Sequence, residues 1–287
     1  RNEEKQMSVR VLASRNEKAI RDGFQQAVEN SREAVILAEL SKEIAVGDIA
    51  AAEAATRPDM FKNELTSVTN GQRDAYKAGA DQAYKELPKG VQKTGTTINL
   101  LAPAAQETLT VEGARLVTQV TESNRQAIVE ILDDVITRGV PPLRAAKNVR
   151  QVIGLNSVQA GALIKQREQM EAAGKTISQI ESALERRSKK MIRSRANTIA
   201  RTESIRAVGQ GRQRMWDQLV EDDVIPAQAQ KRWITSNDEL VGEDHDDMMG
   251  ETVGINEEFY IPETGQSVSV PNESRPNCRC TSVIVFP

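Results

Sequence analysis

The sequence predicts a mainly α protein, built of long helices and helical hairpins, with a small α+β domain at the carboxyl end. Three observations carry that prediction. Apolar residues recur at helical spacing through most of the 287 residues. Aromatic residues are only 3% and charged residues 28%, with mean hydropathy -0.49; so few large side chains favour long, partly exposed helices. Beyond about Val220 the pattern changes to short β-prone runs broken by Pro, Gly and Asn.

From Glu3 to Ala55 a stripe of Ile20, Phe24, Val28, Val35, Ile36, Leu40 and Ile44 between charged residues predicts one long helix or two. Between Thr56 and Thr110 the residues Pro58, Asn70-Gly71, Pro88, Gly90, Gly95 and Pro103 interrupt the pattern, leaving one helical piece from Arg73 to Leu87. Leu87 to Gln106 reads as a connector. A second long helix is expected over Val111 to Thr137, stopped by Gly139 and Pro141-Pro142. A short helix then ends at Gly154, and Asn156 with Gln159, like Thr176 with Gln179, has the spacing of a capping box. The Gly-Leu-Asn turn reads as an ordinary helical hairpin, since Ser157 to Lys165 lacks the cluster of base-reading side chains a recognition helix needs.

Glu185 to Arg214 is strongly basic, and residues 233 to 274 carry eleven carboxylates without a Lys or Arg. In the basic helix some charges must face solvent or an anionic partner. Arg193, Arg195, Arg206 and Arg212 are therefore candidates for contact with a nucleic-acid phosphate backbone, although a net charge of -3 predicts no bulk attraction to nucleic acid. The expected strands are Trp233 to Thr235, Thr252 to Gly254, Phe259 to Ile261, Val268 to Val270 and Cys280 to Phe286. The division this suggests is a helical arm and connector over 1–105, a helical region with the basic helix over 106–220, and a β-rich cap over 221–287.

No apolar run reaches the roughly 20 residues that span a bilayer, and the first residues, RNEEKQMSVR, do not form a signal peptide, so no membrane is expected. The chain starts without Met, which reads as a trimmed end. Cys278 and Cys280 flank only Arg279, a spacing at which a disulfide is strained, so reduced thiols and assembly in a cytoplasm are expected. His245 is the only histidine and so the sole imidazole ligand available. Together with Cys278 and Cys280 it could hold zinc, with Asp238, Asp244 or Asp246 as fourth ligand; the other reading is a buried thiol pair beside a hydrogen-bonded histidine, with no cofactor. The run Glu243 to Asp247 lacks the glycine and terminal glutamate of a calcium loop, and Gly209-Gln210-Gly211 lacks the Lys-Ser/Thr of a phosphate-binding loop.

One ordered set covers about the last third of the chain: Ala200-Arg201-Thr202-Glu203, Gly211-Arg212, Trp233, Asp238-Glu239, His245, Met249-Gly250, Val253, Phe259, Pro262 and Asn277-Cys278-Arg279-Cys280. In order and spacing it resembles the phage Mu protein F-like minor head proteins, the head morphogenesis family, and more loosely the resemblance extends back to Val111. It departs at Gly242, where the family commonly has an Arg three residues before the His. The resemblance implies a non-enzymatic minor capsid protein of a tailed bacteriophage. It would reside in the virion, inside the head, beside the portal protein and the major capsid protein or scaffold, and be assembled in the host cytoplasm. Arg201, Thr202, Glu203, Trp233, Asp238, His245, Gly250, Cys278 and Cys280 form its structural motif. An Arg fork at Arg201 bound to a carboxylate such as Asp238 would pin the cap to the helix. Two rivals are a DNA-binding protein that handles packaged or ejected phage DNA, and an enzyme with a metal-activated water at His245.

Overall fold

The computed structural model describes residues 2–92, 96–236 and 241–286, with side chains from residue 9 onward. It is mainly α with a small carboxyl-terminal sheet region, as the composition and periodicity predict. The amino-terminal stripe is broken into α1 (Asn2–Ala34), α2 (Leu37–Val46) and α3 (Ile49–Ala55). Gly47, at φ +75°, ends α2, and the Asp48 carboxylate caps α3 by accepting from the Ala51 amide at 2.9 Å.

The expected connector is more helical than its Pro and Gly content suggests, because Pro58 and Pro103 open helices instead of breaking them. They start α4 (Pro58–Glu64) and α6 (Pro103–Thr137), with α5 (Thr66–Lys85) between. Gly139 and Gly154, both at positive φ, mark the turns on either side of α7 (Pro142–Val152). Asn156 and Gln159 make both bonds of the expected capping box at the start of α8 (Ser157–Ala172). Thr176 and Gln179 repeat it before α9 (Ile177–Glu221). The basic run thus lies in one 45-residue helix.

The chain divides into two compact units, each assembled from separate segments: 1–21, 69–110 and 198–287 in the first, 22–68 and 111–197 in the second. These boundaries fall inside α1, α5, α6 and α9, where periodicity carries no mark, and differ from the sequential division at 105 and 220.

In the second unit Ile20's successors along the stripe, Phe24, Val28, Val35, Leu40 and Ile44, are buried, and only Ile36 is exposed. Phe24 meets Phe61 edge-on at 6.4 Å, and α2 packs on α7 and α3. Polar side chains tie the loops: Asn124 donates to the carbonyls of Val152 and Leu155 at 3.0 and 3.1 Å. Arg32 donates to the carbonyls of Gln151 and Ile153.

In the first unit Val9, Ala13, Tyr76 and Ala80 share a core with Val208, Met215, Trp216, Ile255 and Ile284. Helices α5 and α9 touch backbone to backbone where Gly79 lies on the Val208 carbonyl and Gly211 on that of Tyr76. Any Cβ at either glycine would collide, which explains Gly209-Gln210-Gly211 inside a helix without any phosphate.

The cap of this unit has one antiparallel sheet of order β2-β1-β5, from β1 (Gln230–Ile234), β2 (Thr252–Gly254) and β5 (Thr281–Val285). A hairpin adds β3 (Phe259–Ile261) and β4 (Gln266–Val268), joined by the turn at Gly265. β2 and β3 coincide with predicted β-prone runs and β5 lies within a residue of one, whereas β1 starts three residues before Trp233 and β4 two before Val268. Among the described residues no helix is long and apolar enough to cross a membrane.

Candidate functional site

The family-motif residues meet where α9 underlies the loop before β5. Successive helical residues turn by about 100°, so Arg201, Thr202, Glu203 and Ser204 diverge. Arg201 is exposed, beside Glu17, so it is not the buried fork expected; Asp238, its expected partner, lies outside the described residues. The hydroxyl of Thr202, at 8% exposure, accepts the amide of Asn277 at 3.1 Å and holds that residue at φ +58°. Buried Glu203 accepts from Gln72 at 2.8 Å, and Ser204 donates to the Ala13 carbonyl at 2.5 Å.

One turn on, Arg206 donates to the carbonyls of Asn272 and Glu273 at 3.2 and 2.9 Å, fastening a 3-10 turn at Pro271–Glu273. Gln210 donates to the Glu273 carboxylate at 2.8 Å. Arg212, 1% exposed, makes the buried fork: both terminal nitrogens reach the Glu86 carboxylate, at 3.0 and 2.9 Å, and one also the Ser282 carbonyl at 3.3 Å. One arginine thus joins α5, α9 and β5.

These bonds correct the expectation for DNA. Arg206 and Arg212 are interior. Arg195 donates to the Gly154 carbonyl and Ser123 at 3.1 and 2.6 Å with its guanidinium over Phe24, and burial lowers its pKa to about 10. Arg193 alone of the four is exposed, in a second-unit cleft where Glu29, Glu181 and Glu185 face Arg150 and Lys189.

The centre of the cap is His245, fully buried on the short helix α10 (Glu243–Asp246). Its ring meets that of Trp233 edge-on at 5.1 Å, and Trp233 meets Phe259 at 5.2 Å. Gly250, at φ +88°, makes the turn that returns the chain to the sheet and donates to the Trp233 carbonyl at 3.0 Å. The Ser274 hydroxyl donates to the Pro271 carbonyl at 2.9 Å and therefore accepts from His245 Nε2–H at 2.7 Å. That bond fixes the tautomer and leaves a lone pair on Nδ1.

The Nδ1 atom faces both sulfurs, Cys278 at 3.4 Å and Cys280 at 3.5 Å. Both thiols are free and buried. The Cys280 S–H, donating to the Cys278 sulfur, lowers the pKa of Cys278; the same bond and burial push Cys280 up. Asn272 donates to the Cys280 carbonyl at 2.6 Å and braces the loop. His245, Cys278 and Cys280 are the one cluster of metal-type donors among the described residues, all within 4.8 Å of one another. Asp244 and Asp246 do not complete it: Asp244 lies 3.9 Å from Nε2, on the far side of the ring, and Asp246 is exposed.

The glycine at 242 has a local explanation. The Arg275 guanidinium lies where a Cβ at Gly242 would sit and donates to Asp244 at 2.9 Å. An arginine after the helix thus stands over the position where the family commonly has one before the histidine.

The sequence reading missed Arg212 with Glu86, Ser274, Arg275 and Lys231. Lys231 is 1% exposed, donates to Gln213 and the Ser269 carbonyl at 3.1 and 2.9 Å, and is lowered by burial to about pKa 8. Strand alternation puts it on the face of Trp233, a mark the sequence did carry. For the others no local mark existed.

No curated protein and no solved structure matches the chain. The family model described as Phage Mu protein F like protein matches residues 163–283, a span that contains α9 from its start and the whole His-Cys cluster. Over residues 163–283 the chain is thus similar to the Phage Mu protein F-like family, and most of the motif residues in that span are buried.

Proposed function

We propose that the protein is a structural component of a tailed-phage head that acts in head morphogenesis, bound near the portal inside the shell, and not an enzyme. The family match supports the head, and the single observation that carries a structural role is the use made of the motif residues. Thr202, Glu203, Arg212, Trp233, His245, Cys278 and Cys280 are all buried, and the contacts of Thr202, Glu203, Arg212, His245 and the two cysteines are with other parts of the protein interior. A catalytic constellation would present reactive groups to a substrate-sized cleft. This one closes a small domain.

The portal protein and the major capsid protein or scaffold are the partners this role requires. The test is co-sedimentation of the full chain with the portal ring of its phage at low and high salt, beside a linear DNA control. Portal binding that persists at high salt is the expected result. Salt-sensitive binding to DNA with no portal complex would overturn it and favour the DNA-handling alternative. That alternative rests on the exposed cations Arg186, Lys190 and Arg193, because the structure engages the other candidate arginines internally.

A further inference from the structure

We propose that His245, Cys278 and Cys280 bind one Zn²⁺, with Nδ1 and two thiolates as protein ligands and a water molecule in the fourth position. Zinc binds thiolate at about 2.3 Å and imidazole at about 2.0–2.1 Å, so a tetrahedral site sets sulfur and nitrogen roughly 3.5 Å apart. The two observed separations, 3.4 and 3.5 Å, already have that value. Both sulfurs converge on the one Nδ1 lone pair.

The surroundings are those of a metal-binding histidine. Its other nitrogen donates to Ser274, whose own proton is committed to Pro271, so Nδ1 is held unprotonated and aimed at the sulfurs. Thr202 and Asn272 fix the backbone on either side of Cys278 and at Cys280. Soft sulfur donors with one imidazole select zinc over magnesium or calcium. Binding releases the two thiol protons to solvent and leaves the imidazole neutral, so affinity falls as pH falls. The metal would tie α10 to the loop before β5. This inference does not depend on the head role, and neither result of the portal experiment bears on it.

The test is metal analysis of the full chain purified under reducing conditions without chelator, followed by Co²⁺ titration of the reduced, metal-free chain. One equivalent of zinc is expected, together with a sulfur-to-cobalt charge-transfer band that saturates at one Co²⁺ per chain and is abolished by added Zn²⁺. Cys278→Ser and Cys280→Ser each remove the band. Ser274 is a positioning residue: Ser274→Ala keeps the band but weakens metal affinity about 10–100-fold. Circular dichroism separates loss of ligand from loss of fold in the variants. A folded, reduced wild-type chain that gives no charge-transfer band overturns the proposal, and so does a Cys278–Cys280 disulfide found by intact mass after thiol blocking.

Discussion

The two units solve the same problem, holding irregular loops against helices, with different chemistry. In the unit of residues 22–68 and 111–197 the main fastenings are side chain to backbone: Asn124, Arg32 and Arg195 donate to loop carbonyls. In the unit of residues 1–21, 69–110 and 198–287 such bonds occur as well, from Arg206 and Asn272 to carbonyls, and buried side-chain pairs are added to them: Arg212 with Glu86, Gln72 with Glu203, and His245 with two cysteines. A carbonyl accepts from any donor of suitable reach, whereas a buried pair requires both partners. The difference teaches why recognisable motif residues crowd into the second arrangement: such a sequence is constrained at two positions at once.

The largest loss is expected where a paired charge is orphaned. Arg212→Met leaves the Glu86 carboxylate buried and should cost about 3–5 kcal/mol by urea unfolding, with much of it recovered in the double variant with Glu86→Leu. If the single variant loses under 1 kcal/mol, the ion pair does not carry the unit. Next comes the backbone crossing. Gly211→Ala in an ordinary helix would gain up to about 1 kcal/mol, but here the added Cβ meets the Tyr76 carbonyl, so a loss of about 1–3 kcal/mol is expected.

The other unit should respond more mildly. Asn124→Ala takes the side-chain donor from the Leu155 carbonyl and one of two donors from that of Val152, and should cost about 1–3 kcal/mol. Asn156→Ala, which removes half of the capping box of α8, should cost about 1 kcal/mol. A loss at Asn124 as large as that at Arg212 would break the contrast between the units.

A pH experiment sharpens it further. Burial lowers Lys231 from 10.5 to about 8, so between those values the unfolded chain holds a proton that the folded chain has released. Stability therefore rises with pH across that window relative to Lys231→Met, and the gain is absent below about pH 8. Urea midpoints of the two proteins at pH 7.5 and 10 check the sign; a wild-type midpoint that does not rise relative to that of Lys231→Met would show that the lysine is not desolvated.

Much of the architecture was legible because it depends on local grammar. Gly139, Gly154, Asn156 and Thr176 mark turns and caps where the structure has them, and the β-prone runs of the cap become strands. The motif constellation was legible from the order of its residues, including the approach of His245 to Cys278 and Cys280. The fate of the basic helix was not. Its ten cations look alike in sequence, and what separates exposed Arg193 from interior Arg206 is a carbonyl 66 residues away. The proline-opened helices α4 and α6 were hidden because proline breaks a helix in its interior and favours its first turn, and only the flanking packing decides which applies.

The central claim is that this chain is a built-in part of a phage head. It is tested most directly by purifying the head particles of the phage or prophage that encodes the chain and quantifying it in them by mass spectrometry. The account predicts that the chain co-purifies with intact heads in a few copies per particle and stays through a high-salt wash. Heads that assemble and purify without it, while the chain remains free in the lysate, would contradict the account.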